Sequence, residues 1–155
     1  MKSHRRLSAL SRGVLWLSFI LAFPAWGAGG EPIRLAPQEI QFAADASRPG
    51  HMAVASLYGD MGQAGLYAAR VLIPAGLKVM PHAHPDDRMV VVVSGTLLVG
   101  FGERFDLASM KAMPPGSFFT EPAGRVHFAW ARDGDVVVQV SGVGPSGTVY
   151  IQPRE

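Results

Sequence analysis

From about residue 50 onward, short apolar runs are broken by Gly, Pro, Asp or Ser every eight to twelve residues. That is the rhythm of an antiparallel sandwich or barrel. Residues 53–58 make one run, closed by Gly59-Asp60. In 66–73, Tyr67, Ala69, Val71 and Ile73 alternate with a face that includes Arg70, the period of two of a half-buried strand. Pro74-Ala75-Gly76 then turns the chain into 77–84. Arg88 leads into four consecutive valines, 90–93, β-branched side chains that suit a strand covered on both faces. Ser94-Gly95 turns into 96–99, and 117–121, 126–131, 136–143 and 148–151 supply further strands. Residues 106–113 are predicted as the one short helix, with Asp106 at its N-cap and Pro114-Pro115-Gly116 at its end. No amphipathic run is long enough for a βαβ crossover, so no parallel sheet is expected. The pattern is all-β, with its edges managed by closing or doubling the sheet.

The chain's 155 residues, 48% apolar and 17% charged, fit one globular domain with a sizeable core. A leader precedes it. Lys2, Arg5, Arg6 and Arg12 come before or beside an apolar stretch at 14–23, and Ala25 and Gly27 flank a cleavage point ahead of Ala28. These are the parts of a cleavable signal peptide, and the stretch falls short of the roughly 20 residues that span a bilayer. Residues 1–27 are read as that signal peptide and 28–155 as a single domain, its barrel core at about 50–150. The expected destination is the periplasm or the exterior, with no membrane attachment after cleavage. Without the leader the chain holds 10 basic residues against 12 acidic, so it lacks the basic stripe of a nucleic-acid binder. The absence of Cys excludes thiol catalysis, Cys-ligated zinc, iron–sulfur clusters and disulfides. Serine-hydrolase chemistry has no support either, because no Gly-x-Ser-x-Gly elbow is present.

Beyond the leader stand His51, His82, His84 and His127. On a strand His82 and His84 project from one face, about 6–7 Å apart along the chain. Such a pair converges on a metal ion or stands by chance on a solvated face, and the pair alone leaves both readings open. His127, beside Phe128 and Trp130, reads by itself as a hydrogen-bonded core histidine. His51 has no partner pattern and is read as a surface loop residue. Tyr67, Phe101, Phe105, Phe118, Phe119, Phe128 and Trp130 are read as core or rim rather than cavity lining.

The wider spacing is Gly76-x5-His82-x-His84-x3-Arg88-x6-Gly95, then Gly116-x5-Pro122-x-Gly124-x2-His127. It closely resembles the two sequence motifs of the cupin superfamily. The motifs run from Gly76 to His127, with a compatible strand pattern over most of 50–150. The resemblance implies a small jelly-roll barrel in which two His and a Glu of the first motif and one His of the second face a metal. It makes His82, His84 and His127 the ligands of one divalent transition metal (Fe, Mn, Ni, Zn or Cu), and the matched glycines and Pro122 turn residues. The chain departs from the pattern at the Glu position, which holds Arg88, and at the last Asn position, which holds Ala131.

A guanidinium about 5 Å from a divalent ion costs roughly 6–7 kcal/mol at an effective dielectric near 20, so Arg88 is not expected to face a bare ion. It pairs with an acidic group such as Asp86 or Glu121, or it orients a substrate carboxylate through its fork. Alternatively the barrel lacks metal and Arg88 binds an anion, or Arg88 is a fixed ion pair with no role toward substrate. Asp86 shares the parity of Arg88, whereas Asp87 points to the opposite face. Superfamily sites with three His and no carboxylate ligand occur among oxygen-using iron enzymes. The resemblance therefore implies a dioxygenase-like oxidoreductase acting on a small anionic molecule. The rival is a non-catalytic metal or small-ligand binding protein, a sensor or carrier. The missing Glu favours it, as does the want of an acid–base pair beyond Lys78 and Glu121. The resemblance also implies a homodimer.

Overall fold

The computed structural model describes residues 31–44 and 51–151, so the expected signal peptide lies outside the described residues. Contacts separate Met1–Pro32 from Ile33–Glu155, and every strand belongs to the second unit. The strands are β1 Ala43–Ala44, β2 Ala53–Tyr58, β3 Gly65–Ile73, β4 Lys78–Ala83, β5 Arg88–Ser94 and β6 Leu97–Phe101. They continue with β7 Lys111–Met113, β8 Phe118–Glu121, β9 His127–Trp130, β10 Val136–Gly144 and β11 Val149–Tyr150. Two sheets result, in the orders β1-β2-β3-β10-β5-β8 and β11-β4-β9-β6-β7. Every pairing is antiparallel. This is the all-β jelly roll that the sequence predicts. Among the described residues no helix is long and apolar enough to cross a membrane.

The inner face of the first sheet is laid down in rows, because residues in register across a ladder project from the same side. One row runs Ala69, Val140, Val90, Phe119, and the next Val71, Val138, Val92. Val90 and Val92 are each 1% exposed and sit in the core. Val91 and Val93 point outward at 39% and 37%, so the valine run is covered on one face and not on both as expected. The turns that set these strands apart use Gly76, Gly95, Gly116 and Gly124, all at positive φ, where a side chain strains the backbone. That is the physical reason for glycine at those four motif positions.

The predicted helix at 106–113 shrinks to one 3-10 turn, Leu107–Ser109. Asp106 does cap it, its Oδ1 accepting from the Ala108 N–H at 3.0 Å. Beyond it Lys111–Met113 joins β6, with Met113 opposite Leu97 and buried. So short a helix is marginal on its own, whereas strand pairing satisfies the backbone and buries Met113. A second 3-10 turn, Pro37–Glu39, has Pro at its start and Glu39 accepting from the Ala36 N–H.

Candidate metal centre

β4 is irregular where it matters. Its register against β9 shifts between Val79 and His82. In a regular strand, residues three apart face opposite sides; the shift lets both line the barrel interior. His84, two residues on and just past the end of β4, follows His82 to the same side. On the neighbouring strand His127 stands directly opposite His82, with Tyr150 and Phe101 completing that row. The ring centroids of His82 lie 4.8 Å from His84 and 4.3 Å from His127. One ligand nitrogen from each of the three lies within 4.8 Å of the others.

The outer nitrogens are all held by backbone carbonyls. Nδ1 of His82 faces Met80 O at 2.8 Å, that of His84 faces Gly147 O at 2.6 Å, and that of His127 faces Arg125 O at 3.1 Å. A carbonyl only accepts, so each Nδ1 carries a proton and donates, which turns each Nε2 into the barrel. All three rings are buried, His127 to 2% exposure. Burial, aided by the charge of the neighbouring histidines, lowers the His82 pKa to about 4. Burial also pushes His84 down, with Arg88 adding to the effect.

Opposite lies the polar row of the first sheet: Tyr67, Gly142, Arg88 and Glu121, in register across β3, β10, β5 and β8. Glu121 reaches the histidines, with Oε1 3.3 Å from His127 Nε2 and Oε2 3.6 Å from His84 Nε2. Two lone pairs that close repel unless a proton or a metal ion lies between them. Burial pushes the Glu121 pKa up, but the His127 contact and the charges of His127, His84 and Arg88 outweigh it, and the carboxyl ends below its ordinary value.

Arg88 faces inward at 8% exposure. Nη1 donates to His84 Nε2 at 3.0 Å, and Nη2 donates to Ser146 Oγ and Gly147 O. Its charge is met by Asp86 Oδ1 at 3.5 Å and Glu121 Oε2 at 3.9 Å, the pairing expected when a guanidinium cannot face an ion uncompensated. Asp86 in turn accepts from Tyr67 Oη and Ser146 Oγ, each at 2.5 Å. Burial opposes ionisation of Asp86, yet those hydrogen bonds and Arg88 leave its pKa low. The same burial and the Asp86 contact raise Tyr67. Gly142 makes this network possible: a Cβ there would lie 2.7 Å from Tyr67 Oη and 3.0 Å from Asp86 Oδ2.

Of the other residues singled out, Asp87 is exposed and accepts from the Ala123 N–H. His51 is exposed, as expected of a loop. Lys78 lies outside the site, over the rings of Trp130 and Phe105. Phe119 lines the cavity against expectation, while Phe128 is core and Phe118 is exposed on the outer face. Sequence reasoning missed Tyr67, Ser146, Gly147, Thr148 and Tyr150 as neighbours of the site. Ser146 and Gly147 sit about sixty residues from their partners, and no local pattern marks such a contact.

The site closes one end of a cavity of about 170 Å³ inside the barrel. A larger hollow of about 790 Å³ lies on the outer side of Asp86 and Arg88, walled by Leu66, Met89 and Val143, and none of the three histidines lines it. The chemistry belongs to the smaller, inner one.

No family model matches the chain. Over 80 residues it is 35% identical to germin-like protein 3-1 of Oryza sativa subsp. japonica, a match covering 51% of this chain. The chain spans only 35% of that relative's length. Among solved structures, the polyketide cyclase RemF from Streptomyces resistomycificus superposes with a TM-score of 0.62 at 15% identity, over 79% of this chain and 87% of the other. A sugar phosphate isomerase of the cupin superfamily from Silicibacter pomeroyi gives 0.56 at 21% identity, over 76% and 80%. The chain has the cupin fold. An oxalate oxidase and a DMSP lyase share it, so the barrel by itself selects no chemistry. Where the resemblance expects a carboxylate this chain has Arg88, and Glu121, paired with Arg88 across the β5–β8 ladder, brings a carboxylate beside the histidines.

Proposed function

We propose that this cupin binds one divalent transition metal through Nε2 of His82, His84 and His127, with the Glu121 carboxylate as a fourth donor. On this reading it acts as an oxidoreductase on a small anionic molecule. The observation that carries the reading is the set of three Nδ1–carbonyl hydrogen bonds. Metal-ligating histidines commonly fix the ring in this way, with the outer N–H donated to a carbonyl and the inner lone pair free. When bound, such an ion supplies Lewis-acid polarisation of an anionic ligand and, if redox-active, electron transfer to dioxygen.

With neutral histidines, Glu121 and Asp86 bring two negative charges and Arg88 one positive, so a divalent ion leaves the site one charge positive. That supports an anionic ligand. Both terminal nitrogens of Arg88 are engaged with His84, Ser146 and Gly147, while its buried Nε–H has no hydrogen-bond partner, so an orienting role toward an anion stays open to it beside the ion's own. The leader at residues 1–27 supports a periplasmic or secreted location.

A second reading, a non-catalytic carrier or sensor, draws on the Arg88–His84 hydrogen bond. Arg88 competes with the ion for one lone pair, which favours an exchangeable metal. The test is to reconstitute the purified protein with Fe(II), Mn(II), Ni(II), Zn(II) or Cu(II), measure bound metal, then follow O2 uptake with small carboxylic acids. One ion per chain is expected, bound more weakly in Glu121→Gln. Turnover supports the enzyme and retention without turnover the carrier, while failure to retain any ion sinks both.

A further inference from the structure

The interior of the barrel is chemically lopsided. The polar side chains lining the cavity are the three histidines, Arg88, Glu121, Thr148 and Tyr150. They belong to the histidine cluster, to the Arg88–Glu121 pair facing it, or to residues 148–150 beside it, where Tyr150 stands opposite His82, exposed at 51%. Past them the lining is hydrocarbon. The next row inward contributes Val140, Val90 and Phe119, and the one after it Val71 and Val138. Four residues along a strand separate the polar row from the Val71–Val138 row, a depth of about 13 Å. The backbone amides and carbonyls of those strands are spent in the ladders. A hydroxyl placed there finds no partner.

We propose that the cavity takes a monocarboxylic acid with a hydroxyl-free hydrocarbon body, its carboxylate at the histidine end and its body running down the barrel between Val90, Val140 and Phe119. The inference rests on the metal reading, which supplies the single surplus positive charge that a monoanion neutralises. It goes further by excluding sugars, sugar acids and dicarboxylates, whose remaining polar groups would meet only aliphatic, methionine and phenylalanine side chains. A volume of about 170 Å³ is below the usual range of drug-sized pockets, so the body is short.

The experiment loads the full chain with Co(II) and measures binding of acetate, butanoate, hexanoate, octanoate, glycolate and gluconate. Calorimetry and the Co(II) d–d absorption give two independent readouts. Affinity is expected to rise by about three- to fourfold for each added methylene until the cavity is full, with hexanoate far ahead of gluconate. Val138→Thr keeps the shape, lies away from the metal row, and should weaken hexanoate by about three- to tenfold without changing Co(II) affinity; Val90→Thr replaces it if the first variant does not fold. Co(II) binding with a series flat in chain length, with gluconate equal to hexanoate, or with hexanoate indifferent to the threonine, overturns this proposal and leaves the metal reading standing. Failure to bind Co(II) overturns both.

Discussion

The two facing rows that make the site reach their geometry by different routes. On β4 and β9 the chemistry is carried by His82, His84 and His127, each tied to a carbonyl of its own strand end or of the β10–β11 loop. Two of these ties, to Met80 and Arg125, span only two residues. On the opposite sheet, Tyr67, Gly142, Arg88 and Glu121 come from four strands; Asp86 is close to Arg88 in the chain but 19 residues from Tyr67, and Ser146 is 58 residues from Arg88. The first row is held partly by local ties, His84 to Gly147 excepted, and the second is a balance of charges completed only once the sheet has paired. The function of the site is therefore divided. One row offers neutral lone pairs, and the other decides how much charge they face.

The division predicts that a defect in the histidine row abolishes metal binding while a defect in the charge row tunes it. His127→Ala should lower Co(II) affinity by more than about a hundredfold, since even outer partners of ligating histidines are worth 10–100-fold. Competition against a fluorescent chelator reads this, and a loss below tenfold would mean that the rings do not share an ion. Gly142→Ala should destabilise the fold by about 1–3 kcal/mol, the range for overpacking a filled site, because its Cβ would collide with Tyr67 Oη. Urea denaturation checks it, and an unchanged midpoint would show the Tyr67–Asp86–Arg88 contacts to be loose.

Arg88→Met removes both the guanidinium charge and the donor on His84 Nε2. Co(II) should then bind at least about tenfold tighter, a modest fraction of the Coulomb cost of a cation near a divalent ion. Unchanged or weaker binding would mean that the Arg88 charge is already fully compensated by Asp86 and Glu121.

The gentlest effect is that of pH on the metal-free protein. His82 is held neutral down to about 4 by burial, whereas the unfolded chain takes up the same proton near 6.5. Between those values the unfolded state binds more protons. His84, pushed down in the same way, acts in the same sense, so stability should fall as pH drops from about 6.5 toward 4, with a slope of up to about 1.4 kcal/mol per pH unit for each proton. Asp86 and Glu121, held low, add to the loss only below the ordinary carboxylate range. Denaturation midpoints at pH 7, 5.5 and 4.5 measure it, and a flat profile would place His82 in contact with water.

The strand pattern and the turn glycines were legible because each depends on neighbours within a few residues, whereas His127 joined His82 and His84 only through the resemblance of two motifs set some forty residues apart. Side-chain parity within a strand and the positive φ of a turn are properties of the local backbone, and parity suggested that His82 and His84 share a face, although His84 stands just past the end of β4. The short helix misled for the complementary reason. Asp106 gives a true capping signal, and what ends that turn is the pairing of Met113 with Leu97 on another strand.

Tertiary structure alone decided the remainder. The register shift before His82 brings Val79 and the histidines to the same interior, although a regular strand would separate them. The β5–β8 register sets Glu121 opposite Arg88 and so returns a carboxylate to a site whose motif had lost it. The loop carrying Ser146 and Gly147 closes on Arg88 and His84 from about sixty residues away. Pairing register is fixed by the burial of whole strand faces against one another, a sum over long-range contacts that no single segment encodes. The sequence thus singled out the three histidines, and the folded sheets determined the charge those histidines confront.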